Sequence, residues 1–425
     1  LPVVLTSRYQ DIFRGSGFRM NPVLTLALRS LVRNRRRSAI ALAAVGFGVA
    51  ALILADGFVD SLLVKLREDT IYSQLGHIQI RDPKFGELGL SEPYGHLLPT
   101  ADGDMAPVAR LPHVRVVAPR LALSGLVSLG DTTLSFTADA IDPAKEAMFD
   151  RGLAITEGAA LGADDKEAVI LGEGLAANLG AKTGDKVVLL VNAATGTLNA
   201  REFVVRGTFS SISKLYDDTG LRLPLASAQR LLRISGAQQW VVLLDDTDKT
   251  AATLEGLRAV LPKARFALTR WDDEADFYHK TAQLFARQFG FIRVVVTAII
   301  VLSILNTMTM NVLERTWEIG VMLALGDSRR QVLALFACEG ALLGFAGGLL
   351  GAALGLAAAA VLNAVGIPMP APPGMSHGFD AGVLVSAAQV AAAFAIGCAA
   401  AAIASLPPAA RASRLRVVDA LRVTH

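Results

Sequence analysis

Glu314-Arg-Thr-Trp-Glu-Ile-Gly-Val-Met-Leu-Ala-Leu-Gly-Asp-Ser-Arg-Arg-Gln331 is a charged segment set between two apolar runs. Val294–Leu313 before it carries no charge, and Val332–Val365 after it carries only Glu339. A bilayer core needs about 20 consecutive apolar residues per helix. Both flanks are therefore long enough to cross a membrane, and the segment between them is held at the surface. A short charged helix there is placed to touch a soluble partner and to pass movement to the spans on either side.

Two further runs qualify. Ser38–Val59 carries only Asp56, while Ala381–Ala410 carries no charge and meets Pro407-Pro408, where the missing N–H is expected to stop the helix. Each run must be helical, because lipid offers no partner for open backbone groups. With 52% hydrophobic residues and a mean hydropathy of +0.45, the chain is more apolar than an average soluble protein. The implied fold class is an α-helical membrane protein with four transmembrane helices and an α+β domain inserted between the first and second.

The expected boundaries follow. Residues 1–19 are set aside as an extension, because Met20 looks like a natural start. Residues 20–37 form an interfacial helix, with Leu24, Leu28, Leu31 and Val32 at helical spacing beside arginines. The first span is 38–59, the external domain with its stalks 60–289, and the second span 290–313. Then come the surface segment 314–331, the third span 332–365, an external loop 366–380, the fourth span 381–406 and a tail 407–425.

Net charge is only +3, but its placement is uneven. Arg29, Arg33, Arg35, Arg36 and Arg37 crowd the entry to the first span; Arg315, Arg329 and Arg330 lie between the second and third; Arg411, Arg414, Arg416 and Arg422 follow the fourth. The loop 366–380 has no Lys or Arg. The positive-inside rule then places both termini and 314–331 in the cytoplasm and the large domain outside. The arginines are read as this topology signal, not as a nucleic-acid surface.

In the external domain, alternation and turn residues predict strands at His77–Arg81, Arg115–Pro119, Leu134–Ala140, Lys186–Val191, Glu202–Phe209 and Gln239–Leu244. Helices are expected at Glu173–Leu179, Leu225–Leu232, Thr250–Val260 and Asp272–Gln288, the last running into the second span without a turn signal. The domain is large enough for its own core, in two subdomains.

Enzyme chemistry is poorly supported. No GxxxxGK[ST], HExxH, GxSxG or CxxC occurs; Leu179–Lys186 has the composition of a phosphate loop without its spacing. The six histidines are scattered, and Cys338 and Cys398 lie inside predicted spans, where they read as small packing residues. No cofactor or metal is expected in this chain.

Gly340, Gly344 and Gly348 are spaced by four, as are Gly347, Gly351 and Gly355. Small residues at that spacing let helices approach closely in lipid. Glu339 is an intramembrane carboxylate, costly unless partnered, and its alternative is a place at headgroup level. Asn306, Thr307, Thr309 and Asn311 are expected either to bond across a helix interface or to line a wet cavity.

Arg315-Thr-Trp-Glu-Ile-Gly-Val-Met-Leu-Ala-Leu-Gly326 followed by Ser328-Arg-Arg-Gln-Val resembles the FtsX/MacB-type permeases of ABC transporters. The ending Ile403-Ala-Ser-Leu-Pro-Pro-Ala-Ala-Arg-Ala-Ser-Arg-Leu-Arg-Val-Val-Asp-Ala-Leu-Arg422 is similar to that family's close. In that family the first motif forms the coupling helix that docks on an ATPase. The resemblance assigns this role to Glu314, Arg315, Glu318, Ile319, Gly320, Leu323, Ala324, Gly326, Arg329 and Arg330. Leu323 stands where the family often has Arg, and Asp327 where it often has Ala, which alters the charge pairing expected with an ATPase.

In the external domain, five groups look like the lipoprotein-releasing LolC/LolE-type permeases. They are Gly76-His-Ile-Gln-Ile80, Pro119-Arg120 with Gly125, Ala140-Ile-Asp-Pro143, Leu171–Gly180 with Gly184-Asp185, and Gly207-Thr-Phe209 with Tyr216-Asp217. The resemblance implies a bacterial inner-membrane permease with a periplasmic domain, a second permease (identical or different), and two copies of an ABC ATPase that alone hold ATP and Mg. It implies a lipoprotein or lipid cargo lifted from the outer leaflet and a periplasmic carrier or adaptor. Leu54, Phe58, Leu62 and Leu63, with Phe289, Ile292, Val296 and Ile300, are the candidate substrate-cavity residues. The alternatives are MacB-like efflux of a drug or peptide, FtsX-like mechanical control of a hydrolase, and a receptor.

Overall fold

The computed structural model describes residues 26, 27, 33, 35–89, 91–149, 153–211, 213–369 and 378–417. Of the interfacial helix expected over 20–37, only residues 26, 27, 33 and 35–37 are among them, the last three inside the first long helix, and the tail expected over 407–425 is described only to residue 417. The elements used below are α1 (Arg35–Thr70), β1 (Ile78–Arg81), α2 (Asp102–Ala109), β2 (Val114–Leu129), β3 (Thr132–Ile141), α3 (Pro143–Glu146), β4 (Ala154–Gly158) and β5 (Ala168–Gly172). They continue with α4 (Glu173–Leu179), β6 (Lys186–Asn192), β7 (Leu198–Ser210), α5 (Lys214–Thr219), β8 (Gly220–Pro224), α6 (Leu225–Leu232), β9 (Gln239–Leu244), α7 (Thr250–Val260) and β10 (Ala267–Arg270). The last four are α8 (Asp276–Glu314), α9 (Thr316–Ala324), α10 (Arg329–Val365) and α11 (Ala387–Ser413).

The chain divides into two units. One holds Leu1–Ser61, Phe285–Ile367 and Gly382–His425; the other holds Leu62–Leu284 and Pro368–Ala381. In the first, α1, α8, α10 and α11 are each long and apolar enough to cross a membrane. Their shared core joins Val45, Val49 and Ile53 of α1 to Ile300, Ile304 and Met308 of α8, Phe336 and Leu343 of α10, and Ala393 and Ala401 of α11. The two glycine series of α10 serve different neighbours. A Cβ on Gly344 would lie 2.6 Å from Ala401 Cβ and one on Gly348 2.8 Å from Phe394 of α11, while Gly340 faces Ser405. On the other side, a Cβ on Gly347 would lie 2.7 Å from Val45 Cβ, on Gly351 2.5 Å from the Gly46 carbonyl, and on Gly355 3.2 Å from Ile53 of α1. Backbones that close leave no room for a side chain, which is how small residues bind helices together in lipid.

Two span boundaries depart from expectation. α11 does not stop at Pro407-Pro408 but runs through them to Ser413. Proline costs a helix interior roughly 3 kcal/mol, yet here Pro408, Ala409 and Ala412 are buried, so packing outweighs the lost bonds. At its other end α11 begins at Ala387, not 381, because Ser386 caps it and pairs with Gln389 in a capping box. Residues 383 and 384 are instead tied down by Asn363 and by the Gly57 carbonyl.

In the second unit the strands form one mixed sheet in the order β10-β1-β9-β2-β3-β8-β5-β7-β4, with β6 pairing β2 and β7. The long β2 joins its halves: Val114–Arg120 pairs with β9, and Leu126–Ser128 with β6. Both faces of the first half are covered. Trp240, Val242 and Leu244 of β9 enter one core with Leu254 and Leu257 of α7. Val241 and Leu243 enter another with Ile71, Tyr72 and Trp271. The second half packs Leu121, Val127, Phe136, Val187 and Phe203 under α4 and α6. The expected strands are all present, three of them much longer, and the two subdomains share one sheet. The helix expected over Asp272–Gln288 is broken at Ala275: a single turn, Trp271–Glu274, precedes α8.

His77 shows how tightly this unit is built. Its side chain is fully buried. The Leu244 N–H donates to Nδ1 at 3.0 Å, so Nε2 carries the proton toward Thr247 Oγ1 at 3.0 Å, and that hydroxyl donates to Glu68. Burial, then the charge of Arg67, pushes the imidazole down from 6.5 to about 4. The unfolded chain takes up a proton as pH falls through 6.5, whereas the native protein resists until about 4. Stability is therefore lost as pH falls across that window, by roughly 3 kcal/mol if the whole shift is realised. Hydrogen exchange at the Leu244 amide, corrected for its intrinsic rate, is expected to show less protection at pH 5 than at pH 7. His77→Gln should abolish the difference; an unchanged pH dependence in that variant contradicts the assignment.

Candidate functional site

The charged segment folds as its local chemistry requires. α8 ends at Glu314, Arg315 leaves the helical conformation, and α9 starts at Thr316. α9 is closed by Gly326 at φ +102, with Gly326 N–H bonded to the Leu323 carbonyl at 3.2 Å and Asp327 N–H to the Met322 carbonyl at 3.1 Å. That pair of bonds is a Schellman closure, which wants glycine at this position. Ser328 then caps α10 in a capping box with Gln331. Gly326, expected as a docking residue, is thus the turn that separates two helices.

The inner side of α9 is tied to α10 and to Arg33 just before α1, and α1 is tied to the end of α8. Arg315 is the hub: its Nε donates to Glu318 at 2.8 Å, its Nη1 lies 3.6 Å from Glu339, and its guanidinium stacks on Phe336 at 5.6 Å. Glu339 is 2% exposed and accepts from Asn311 Nδ2 at 2.8 Å. Arg33 donates to both oxygens of Glu318 at 2.7 and 2.8 Å, and Arg37 pairs with Glu314. Partial burial alone would raise the Glu318 carboxyl, but the bonds and charges of Arg315 and Arg33 outweigh it and hold it below the ordinary range. Glu339 is therefore a buried, partnered carboxylate, and Asn311 bonds across a helix interface.

The residues expected to couple to an ATPase differ in exposure and in partners. Glu314, Arg315 and Glu318 are engaged within the chain, and Ile319 and Gly320 are buried. Leu323 packs against the helical core. Ala324, Arg329 and Arg330 are exposed. The outward face is apolar instead: Trp317 is 55% and Leu325 83% exposed. Sequence reasoning passed over both. The available signal was that α9 is hydrophobic on more sides than its inner packing uses.

At the other end of the spans lies a cleft of about 320 Å³ lined by Asp56, Val59, Asp60, Ala286, Phe289, Gly290, Arg293 and Gln389. Arg293 Nη2 donates to both oxygens of Asp56 at 2.8 Å, and Gln389 donates to Asp60 at 2.6 Å. The Phe58 and Phe289 rings meet there at 6.4 Å. Of the other residues expected to line a cavity, Ile292 is exposed, Val296 packs on the core, and Leu54 and Leu63 are half-buried. Ile300 and Leu62 are buried, Ile300 because Gly48 leaves its side chain room to enter the bundle.

Two family models match this chain. The model for the MacB-like periplasmic core domain matches residues 38–260, and that for the FtsX-like permease C-terminal region matches 290–417. The chain belongs to the MacB/FtsX-type family of ABC transporter permeases. Among its relatives, this permease is 26% identical over 358 residues to the macrolide export ATP-binding/permease protein MacB of Sodalis glossinidius, covering 80% of this chain and 53% of that protein. It is 28% identical over 214 residues to an uncharacterized ABC transporter permease of Methanocaldococcus jannaschii, covering 47% and 50%. The chain spans about half the length of these curated relatives. A solved structure of the periplasmic region of MacB from Actinobacillus actinomycetemcomitans is similar at 19% identity, covering 48% of this chain and 94% of that one, with a TM-score of 0.36. These likenesses do not support lipoprotein release; efflux is compatible with them. Four apolar helices and a periplasmic-type domain fit an inner-membrane protein.

Proposed function

We propose that this permease exports an amphipathic molecule, driven by ATP hydrolysis in an ABC ATP-binding unit that docks on α9 from the cytoplasm. The observation that carries this reading is the division of α9: an inner side fastened to α10 through Arg315 and Glu339 and to Arg33 before α1, and an outer face offering Trp317 and Leu325. A docked unit that moves α9 would move the spans with it. ATP and Mg would be held by that unit, in two copies, with a second permease copy completing the transporter. The basic clusters support a cytoplasmic place for α9 and an outer place for the cleft at Asp56 and Arg293. The cleft, with charged groups beside the Phe58–Phe289 pair, suits a molecule with a polar head and an apolar body.

The first reading is efflux of a drug or peptide through a periplasmic adaptor, and the relatives named for macrolide export support its efflux part. Extraction of a lipoprotein or lipid toward a periplasmic carrier is the second reading, favoured by aromatic residues where the outer leaflet would meet the cleft. Cells expressing the permease together with an ABC ATP-binding unit and a periplasmic adaptor are expected to accumulate less macrolide than cells lacking them. Unchanged accumulation, together with lipoproteins retained in the inner membrane of the deleted strain, would decide for extraction.

A further inference from the structure

The end of α1 is held in an unusual way. After Thr70 the helix widens into a π turn, Ile71–Leu75, and stops at Gly76, whose φ of +63 and close approach to Val241 exclude a side chain. The last carbonyls of any helix lack helical partners. Here three consecutive ones each accept from a side chain on a different strand. Arg222 of β8 donates to the Ser73 carbonyl at 2.5 Å, Arg120 of β2 to the Gln74 carbonyl, and Gln79 of β1 to the Leu75 carbonyl at 3.1 Å. Glu146 at the end of α3 binds both guanidiniums: Arg120 Nε donates to it at 3.2 Å and Arg222 Nη1 at 3.0 Å. Arg120 also lies over the Phe149 ring at 4.7 Å, and Arg222 reaches Tyr216, whose hydroxyl donates to Asp139 at 2.6 Å. Four motifs singled out in the sequence converge on this point: the Gly76 turn, Pro119-Arg120, Asp142-Pro143 and Tyr216-Asp217.

Stability alone does not account for such a cluster. Arg120 and Arg222 are each 2% exposed and Glu146 8%. Removing such charges from water costs several kcal/mol per ion, and apolar replacements of buried triads are often neutral or stabilising. What apolar side chains cannot do is grip carbonyls. Two cations also suit the negative end of the helix, and an arginine fork fixes direction as well as distance. We propose that Arg120, Arg222 and Glu146 are positioning residues, forming the joint that fastens the end of α1 to the sheet so that force carried along α1 reaches the domain undiminished. This inference rests on the ATP-driven reading above.

The test is the triple variant Arg120→Met/Glu146→Leu/Arg222→Met in the complete transporter in membranes. The variant is expected to fold and to hydrolyse ATP at near the wild-type rate, while substrate exported per ATP falls by about tenfold, within the usual range of coupling between sites. Spin labels at Val64 and Thr133 should give a narrow distance distribution in the wild type and a broad one in the variant, a readout independent of transport. Should the triple variant fail to reach the membrane, Arg120→Lys/Arg222→Lys, which keeps charge but loses the forks, carries the same expectations. Unchanged export per ATP with an unbroadened distance distribution in a folded variant overturns the joint. Absence of ATP dependence in the wild type would instead overturn the transport reading, leaving the spin-label result to judge the joint alone.

Discussion

Glu339→Ala is expected to destabilise the helical unit by roughly 3–5 kcal/mol, the usual cost of removing one partner from a buried ion pair. Glu339 is 2% exposed and the Arg315 side chain 13%, so neither water nor a headgroup can replace the lost carboxylate. The guanidinium would keep its place over Phe336 and its bond to Glu318 but lose the buried carboxylate beside it. Arg315→Met/Glu339→Leu removes both charges and is expected to recover part of the loss, because no charge is left stranded even though Asn311 Nδ2 loses its acceptor on Glu339. Thermal unfolding of the full chain in lipid nanodiscs measures both. A loss below about 1 kcal/mol for Glu339→Ala, the level of an exposed pair, would contradict the buried pairing.

Trp317→Glu/Leu325→Glu is expected to do the opposite: leave folding intact and remove function. Both side chains are largely exposed, at 55% and 83%, and surface changes usually stay within about 0.5 kcal/mol. A tryptophan at the centre of an interface, however, is worth 2 kcal/mol or more, so docking should weaken roughly 30-fold. ATP-dependent export in proteoliposomes at limiting ATP-binding unit is the readout. Glu318→Gln should cost less, since its bonds to Arg33 and Arg315 are partly solvated. If Glu318→Gln abolishes export while the double variant transports normally, docking does not use the outward face of α9.

The four spans and the surface segment were legible because the bilayer imposes a length and bars charge, leaving a strong signal in Val294–Leu313 and Val332–Val365. The helices Glu173–Leu179, Leu225–Leu232 and Thr250–Val260 were legible to the residue, since turn signals and amphipathic spacing coincide there. β5 and β8 were missed because each is a five-residue strand buried throughout, with no alternation to read. β4 was missed for the reverse reason, being exposed along its whole length at the sheet edge. Pro407-Pro408 misled because a local rule was outweighed by packing that no local window contains. At the coupling segment the motif located the helix but not its faces. A charged residue reads as outward, yet Glu318 is claimed by Arg33, 285 positions away in the chain, and such a pairing exists only once the bundle has formed. The joint at Arg120, Arg222 and Glu146 was invisible for the same reason: its members come from β2, β8 and α3 and meet only at the end of α1.

The central claim is that α9 receives an ATP-binding unit on its outward face. The most direct measurement places a photoreactive amino acid at position 317 in cells expressing the whole transporter, with position 350 on the exposed side of α10 as a control. The account predicts that illumination joins position 317 to an ABC ATP-binding unit, identified by mass spectrometry of the crosslinked peptides, and that position 350 yields no such product. Crosslinks from 317 to lipid alone, or equal capture of the ATP-binding unit from 350, would contradict it.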